Sequence, residues 1–209
     1  MFKAIIFDCW STLFYKGWSF TGTLSNCLKL ENNDDFEERV GKSLMLSPCL
    51  DKFDAASRLL AGFGISPEKE IINKVTEILG ASWNPKPYPY TLETLRGLKS
   101  KGYKLAIISN AFNLTFEEVV GEYDLAGIFD VIIASYEVGL RKPDPKIFEI
   151  CLEKLGVEKD EALMVGDSLQ DDIGAAQSFG IKALMLDNKN KYPNYSPRIT
   201  SIKNTFSYL

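Results

Sequence analysis

Five short runs in this chain are apolar almost throughout, and their continuity constrains the fold more than any other feature. They lie at 4–7, 104–108, 131–134, 162–165 and 182–186, and turn or polar residues bound each of them. A strand with one wet face alternates apolar and polar side chains. An unbroken run implies cover on both faces, as in a parallel sheet. Between the later runs the spacing becomes helical. Leu92, Leu95 and Leu98 fall three apart within 90–101. Ile147, Phe148, Cys151, Leu152 and Leu155 form a stripe within 145–155, and 171–179 is Ala-rich and stops at Gly180. Regular alternation of strand and helix predicts an α/β fold built on a doubly wound parallel sheet.

One long interval breaks this rhythm. From Phe14 to about Tyr88 no strand pattern is visible, and the apolar spacing is helical. Phe53, Ala56, Leu59, Leu60 and Phe63 mark one helix. Ile71, Ile72, Val75, Ile78 and Leu79 mark another, expected to open after Ser66-Pro67-Glu68 with Ser66 as its N-cap. The proline-rich stretch 84–90 reads as the crossing back to the sheet. The expected organisation is therefore a sheet unit of residues 1–13 and 89–209, with an all-helical insert of residues 14–88 directly after the first strand. No element is assigned beyond Asn188.

Composition then narrows the chemistry. The chain has no histidine, which removes Ser-His-Asp and Cys-His catalysis and every histidine metal site. Any proton transfer falls to Asp, Glu, Lys, Tyr or Cys. The 24 basic and 28 acidic residues nearly cancel, to −4, so neither nucleic acid nor a membrane surface is expected as a partner. Cys9, Cys27, Cys49 and Cys151 are scattered without a Cys-x-x-Cys pair, and free thiols are expected. The apolar start is too short for a signal peptide, and no run approaches the ~20 apolar residues of a membrane span. A cytoplasmic protein, monomeric or homodimeric, is the expectation.

Ligands of open parallel sheets bind at the carboxyl ends of the strands, and here those ends are chemically distinctive. The first run ends at Asp8, followed by Cys9-Trp10-Ser11-Thr12-Leu13. The second ends at Ser109-Asn110. Lys142-Pro143-Asp144-Pro145 follows the third, and Gly166-Asp167-Ser168 with Asp171-Asp172 follows the fourth. An Asp or Ser after a strand is common turn and cap chemistry. Four such segments in order are less easily explained that way.

Taken together, these four segments resemble the motifs of the haloacid dehalogenase superfamily. The resemblance covers the sheet unit, and the insert sits where members with a helical cap carry theirs. It implies a Rossmann-like core and a hydrolase in which Asp8 is the nucleophile. By the same resemblance, Ser109 and Lys142 are catalytic; Asp8, the Trp10 carbonyl and Asp167 hold Mg²⁺; Thr12, Asn110 and Trp10 contact substrate. Asp172 is expected to orient Lys142 or a metal-bound water, and Asp171 reads as a solvated first-turn acid. A carboxylate nucleophile splits one hard phosphoryl displacement into two through an aspartyl-phosphate. The implied substrate is a small phosphorylated metabolite.

The chain departs from the phosphatase pattern at one position. Phosphatases of this superfamily carry a second Asp two residues after the nucleophile, as acid and then base; here the residue is Trp10, whose indole N–H only donates. An aromatic there resembles the 2-haloacid dehalogenases, whose halide leaves unprotonated. Asp167, however, belongs to the metal-binding phosphatase form of the fourth motif. An acid beside Asp8 without a cation would raise the pKa of the nucleophile. A Mg²⁺-dependent phosphohydrolase is therefore the first reading, and a metal-independent 2-haloacid dehalogenase the second. A third is a weakly active or non-catalytic binding protein, with exposed aromatics at Phe14, Tyr15, Trp18 and Phe20 facing a partner. Arg39 lies roughly where dehalogenases place a carboxylate-binding arginine, but its surroundings read as a solvated helix.

Overall fold

The computed structural model describes residues 1–15, 20–81 and 84–209. Its strands are β1 (Ala4–Phe7), β2 (Phe14–Tyr15), β3 (Lys86–Pro87), β4 (Lys104–Ser109), β5 (Val131–Ala134), β6 (Ala162–Gly166), β7 (Lys182–Leu186) and β8 (Arg198–Ile199). Its helices are α1 (Phe20–Leu28), α2 (Asp34–Leu44), α3 (Lys52–Gly62), α4 (Lys69–Gly80), α5 (Thr91–Ser100), α6 (Asn113–Glu122), α7 (Leu125–Ile128), α8 (Ser135–Val138), α9 (Pro145–Leu155), α10 (Ala175–Phe179) and α11 (Thr205–Tyr208). All five apolar runs are strands of one parallel sheet in the order β5-β4-β1-β6-β7-β8. The chain steps outward from β1 through β4 to β5, then returns to the other side of β1 at β6. The loops after β1 and β6 therefore diverge and open a crevice at the carboxyl edge of the sheet.

Alternate residues of each strand enter two different cores. Ile5, Phe7, Leu105, Ile107, Leu163 and Val165 pack with Leu95, Leu98, Phe116 and Val119 on one face. Ala4, Ile6, Ala106, Ile108 and Met164 pack with Ile147, Phe148, Cys151 and Ala176 on the other. Helical cover on both faces is why the runs are continuous rather than alternating. Helix α9 coincides with the 145–155 stripe, with the Asp144 side chain accepting from the Lys146 amide at 2.9 Å and Gly156 left-handed at its end.

Helices α1 to α4 share a third core of Leu24, Phe36, Val40, Leu44, Leu59, Leu60, Ile72, Val75 and Leu79. Phe112, from the segment before α6, is buried in that core. The Asn113 amide next to it holds the main chain of Cys49, accepting from its N–H at 2.9 Å and donating to its carbonyl at 3.1 Å.

Several expectations give way to the structure. The 14–88 interval contains two strands: β2 and β3 pair antiparallel, Phe14 opposite Pro87. Two-residue strands are too short to show a periodicity. Helix α4 starts at Lys69, directly after Ser66-Pro67-Glu68, but its N-cap is Glu68 rather than Ser66, because the Glu68 N–H donates back to the Ser66 carbonyl at 2.8 Å and closes a tight turn there. The helix expected over 171–179 is a π-helical turn, Leu169–Gly174, followed by α10. Phe14 and Phe20 are buried, Phe14 in the sheet core and Phe20 in the helical core, while Tyr15 is exposed. Trp18 lies outside the described residues. The unassigned tail supplies β8, at the sheet edge beside β7.

Candidate active site

Asp8 follows β1 directly, and its N–H donates to the Val165 carbonyl at 3.0 Å. The carboxylate therefore sits at the carboxyl end of the central strand. Cys9 to Phe14 then turn tightly: the Leu13 and Phe14 N–H groups both donate to the Cys9 carbonyl, and Ser11 is left-handed. Thr12 is fully buried on this loop and donates to Asp167 Oδ1 at 3.4 Å. Trp10 is half-buried, its ring edge-on to Phe116 with centroids 6.3 Å apart.

Lys142 is the centre of the site. It is 1% exposed, and its Nζ donates to Asp8 Oδ1 at 2.7 Å, Asp172 Oδ1 at 2.6 Å and the Ile108 carbonyl at 2.8 Å. Three acceptors satisfy all three ammonium protons. Burial alone pulls this ammonium down, but Asp172 and Asp8 outweigh it and hold its pKa above the ordinary lysine value. Its main chain is fixed by Asn110, which accepts from the Lys142 N–H at 2.8 Å and donates to the Lys142 carbonyl at 2.9 Å. Asp172 is engaged at both oxygens, the second accepting from the Ser168 N–H at 3.0 Å. Its carboxyl packs over Gly166, where a Cβ would overlap it. The π-helical turn brings it there, a placement common for π-helical turns at functional sites.

Two buried oxygens find no hydrogen-bond partner among the described residues: Asp8 Oδ2 and Ser109 Oγ. Orphaned buried polar atoms in such a crevice are the groups a ligand would complete. Asp8, Asp167 and Asp172 also offer carboxylate atoms within 4.8 Å of one another. Burial raises the pKa of Asp8, with Asp172 adding to it against Lys142. Burial, then Asp8 and Asp172, raise that of Asp167. Clustered carboxylates that repel in a dry site suit a hard divalent cation with oxygen ligands. The residues present fit Mg²⁺, with Asp8, through its unpartnered Oδ2, and Asp167 as the carboxylate ligands, while both oxygens of Asp172 are already engaged.

Asp171 is half-buried rather than solvated, and burial raises its pKa. Arg39 is exposed, ion-paired to Asp35 at 2.9 Å and above the Phe63 ring. Two contributions escaped the sequence reading. The loop after β7 reaches the site, with Asn188 donating to the Ser11 carbonyl at 3.4 Å and Lys189 lowering the pKa of Asp167. Tyr88 borders Thr12 and Asn188 in a 150 Å³ pocket. Neither has a local pattern, since only the return of β7 beside β6 brings that loop to Asp167.

A family model described as a haloacid dehalogenase-like hydrolase matches residues 2–180. Among curated proteins, glyceraldehyde 3-phosphate phosphatase of Methanothermobacter thermautotrophicus is 36% identical over 104 residues, covering 50% of this chain and 46% of that protein. The (S)-2-haloacid dehalogenase 1 of a Pseudomonas species is 29% identical over 143 residues, 68% of this chain and 61% of that one. The chain thus spans about half the length of the first of these relatives and under two thirds of the second. A crystal structure of an HAD phosphatase from Thermococcus onnurineus superposes with a TM-score of 0.64 at 26% identity, covering 99% of this chain and 97% of that one.

Proposed function

The chain belongs to the haloacid dehalogenase-like hydrolases, and we propose that within that family it is a Mg²⁺-dependent phosphohydrolase acting on a small phosphorylated metabolite. The observation that carries this reading is Asp167, a partly buried carboxylate beside the nucleophile that forms no ion pair among the described residues and accepts only from Thr12. Such an acid weakens Asp8 unless a cation lies between them. Relatives of both kinds exist, phosphatase and dehalogenase, and Asp167 favours the first.

Asp8 attacks phosphorus; a P–O bond to its carboxylate forms as the bond to the leaving group breaks. Water then cleaves the aspartyl-phosphate, releasing phosphate and restoring Asp8. Ser109 Oγ donates to a non-bridging phosphoryl oxygen, and Lys142, already charged and fixed, offsets the negative charge that builds there. Asp172 and Asn110 keep Lys142 in that position. Asp8, the Trp10 carbonyl and Asp167 would hold Mg²⁺, which would supply charge neutralisation for the phosphoryl group. Thr12 and Trp10 line the approach, and residues 14–88 act as a cap over the core of 1–13 and 89–209.

Trp10 favours the second reading, a 2-haloacid dehalogenase, because it leaves no acid on the nucleophile loop for the leaving group. One panel separates the two: phosphate esters, acyl phosphates and 2-haloacids, each with Mg²⁺ and with EDTA. Phosphate release that EDTA abolishes supports the phosphohydrolase. Halide release undiminished by EDTA replaces it with the dehalogenase.

A further inference from the structure

Arg141 precedes Lys142, and its side chain reaches the helical residues. Its Nη1 donates to Glu38 Oε2 on α2 at 3.1 Å, and Glu38 also pairs with Lys42 one turn on, at 3.3 Å. The guanidinium lies flat against Gly41, where any Cβ would overlap its atoms. Its Nε is buried with no acceptor among the described residues. A side chain present only for packing would have no reason to bury an unmatched N–H, and each such group calls for an explanation.

The main chain around Arg141 is stiff. The Asp144 N–H donates to the Arg141 carbonyl at 2.8 Å, and the Asn110 amide holds both polar groups of Lys142. A movement of the main chain at Arg141 is therefore passed to Lys142. We propose that Arg141 is a positioning residue: its seat on Gly41 and Glu38 ties the placement of α2 to the Lys142 segment, so that Lys142 Nζ lies between Asp8 and Asp172 only while α2 is docked. The catalytic part of this claim rests on the proposed hydrolase reading; the mechanical part does not.

Two variants of the whole protein test it by amide hydrogen exchange and steady-state kinetics. In Gly41→Ala the helix propensity of α2 improves, while the added Cβ would overlap the Arg141 guanidinium and force it from its seat. Glu38→Gln removes the ion pair from an exposed side chain and leaves the fold intact. Both are expected to speed exchange at 140–144, a segment remote in sequence, about 10-fold. Both should lower kcat for p-nitrophenyl phosphate about 10–100-fold with KM within about twofold, because small misplacement of a catalytic group acts on the reacting complex. Arg141→Lys, which keeps the charge toward Glu38, should recover part of the kcat lost in Arg141→Met. Faster exchange confined to α2, or altered exchange at 140–144 with unchanged kcat, overturns the proposal. If the unmodified protein turns over neither esters nor haloacids, the hydrolase reading has failed and the exchange result alone decides the coupling.

Discussion

Both polar ends of the Asn110 side chain are engaged with the main chain of Lys142, one accepting from its N–H at 2.8 Å and the other donating to its carbonyl at 2.9 Å. The pairing joins the carboxyl end of β4 to the loop before α9. It makes Asn110 the clamp of the buried lysine, whereas the family resemblance implies a substrate contact. The two roles predict different kinetics. As a clamp, Asn110→Ala should lower kcat about 100-fold with KM nearly unchanged. Steady-state rates would show a substrate contact instead as a raised KM at constant kcat.

Asp8→Asn should abolish turnover of every substrate, to below about 10⁻³ of the native rate, because an amide is neither the nucleophile nor an anionic ligand. Single-turnover assays on a variant with native circular dichroism check this. A folded variant that retains substantial turnover removes Asp8 from its role.

Asp167→Asn should weaken activity and gain part of it back at high Mg²⁺, yet stabilise the metal-free fold. Burial, then Asp8 and Asp172, raise the pKa of Asp167 from 3.8 to about 7 in the folded protein. The folded state thus holds this proton more tightly than the unfolded chain. The associated stability is present below pH 4 and is lost as pH rises through the folded value. In EDTA the native protein should therefore melt at a lower temperature at pH 8 than at pH 5.5 on this group's account. Asp167→Asn should flatten that difference and gain about 1–3 kcal/mol at pH 8. Thermal melts of both proteins with and without Mg²⁺ measure it; a variant less stable than native in EDTA at pH 8 contradicts the repulsion.

Trp10 sets the leaving-group dependence. With only an indole N–H donor on the loop, aryl and acyl phosphates, whose leaving groups depart as stable anions, should react much faster than alkyl phosphates. The missing base should make the aspartyl-phosphate long-lived, visible as a burst followed by a slow steady state. Trp10→Asp should flatten the dependence, with general acid–base catalysis restoring about 10²–10⁴-fold on alkyl esters. Losing the edge contact with Phe116 should cost about 1–3 kcal/mol of stability. Equal native rates on aryl and alkyl esters would show that another group delivers the proton. Of the carboxylates on the helical residues, Glu38 is held by Arg141 and Lys42, while Glu37 is exposed.

What the amino-acid sequence determined by itself was the sheet and the identity of its acids. Both-face burial demands uninterrupted apolar residues, so β1, β4, β5, β6 and β7 are visible one at a time. The residues at or just past each strand's end must lie at the carboxyl edge, so Asp8, Ser109 and Asp167 are legible as neighbours from topology alone. Tertiary structure decided everything that depends on two distant segments meeting. Lys142 becomes a buried, triply bonded cation only because the loop between α8 and α9 meets the carboxyl end of β4 and the π-helical turn holding Asp172. Asn110 becomes its clamp, and Arg141 meets α2, for the same reason. No local pattern encodes these pairings: a hydrogen bond across 32 or 103 positions leaves each partner looking like an ordinary loop or helix residue. The two-residue β2 and β3 pair and the edge strand β8 escape notice likewise, since strands that short take their conformation from the neighbour they pair with rather than from their own side chains.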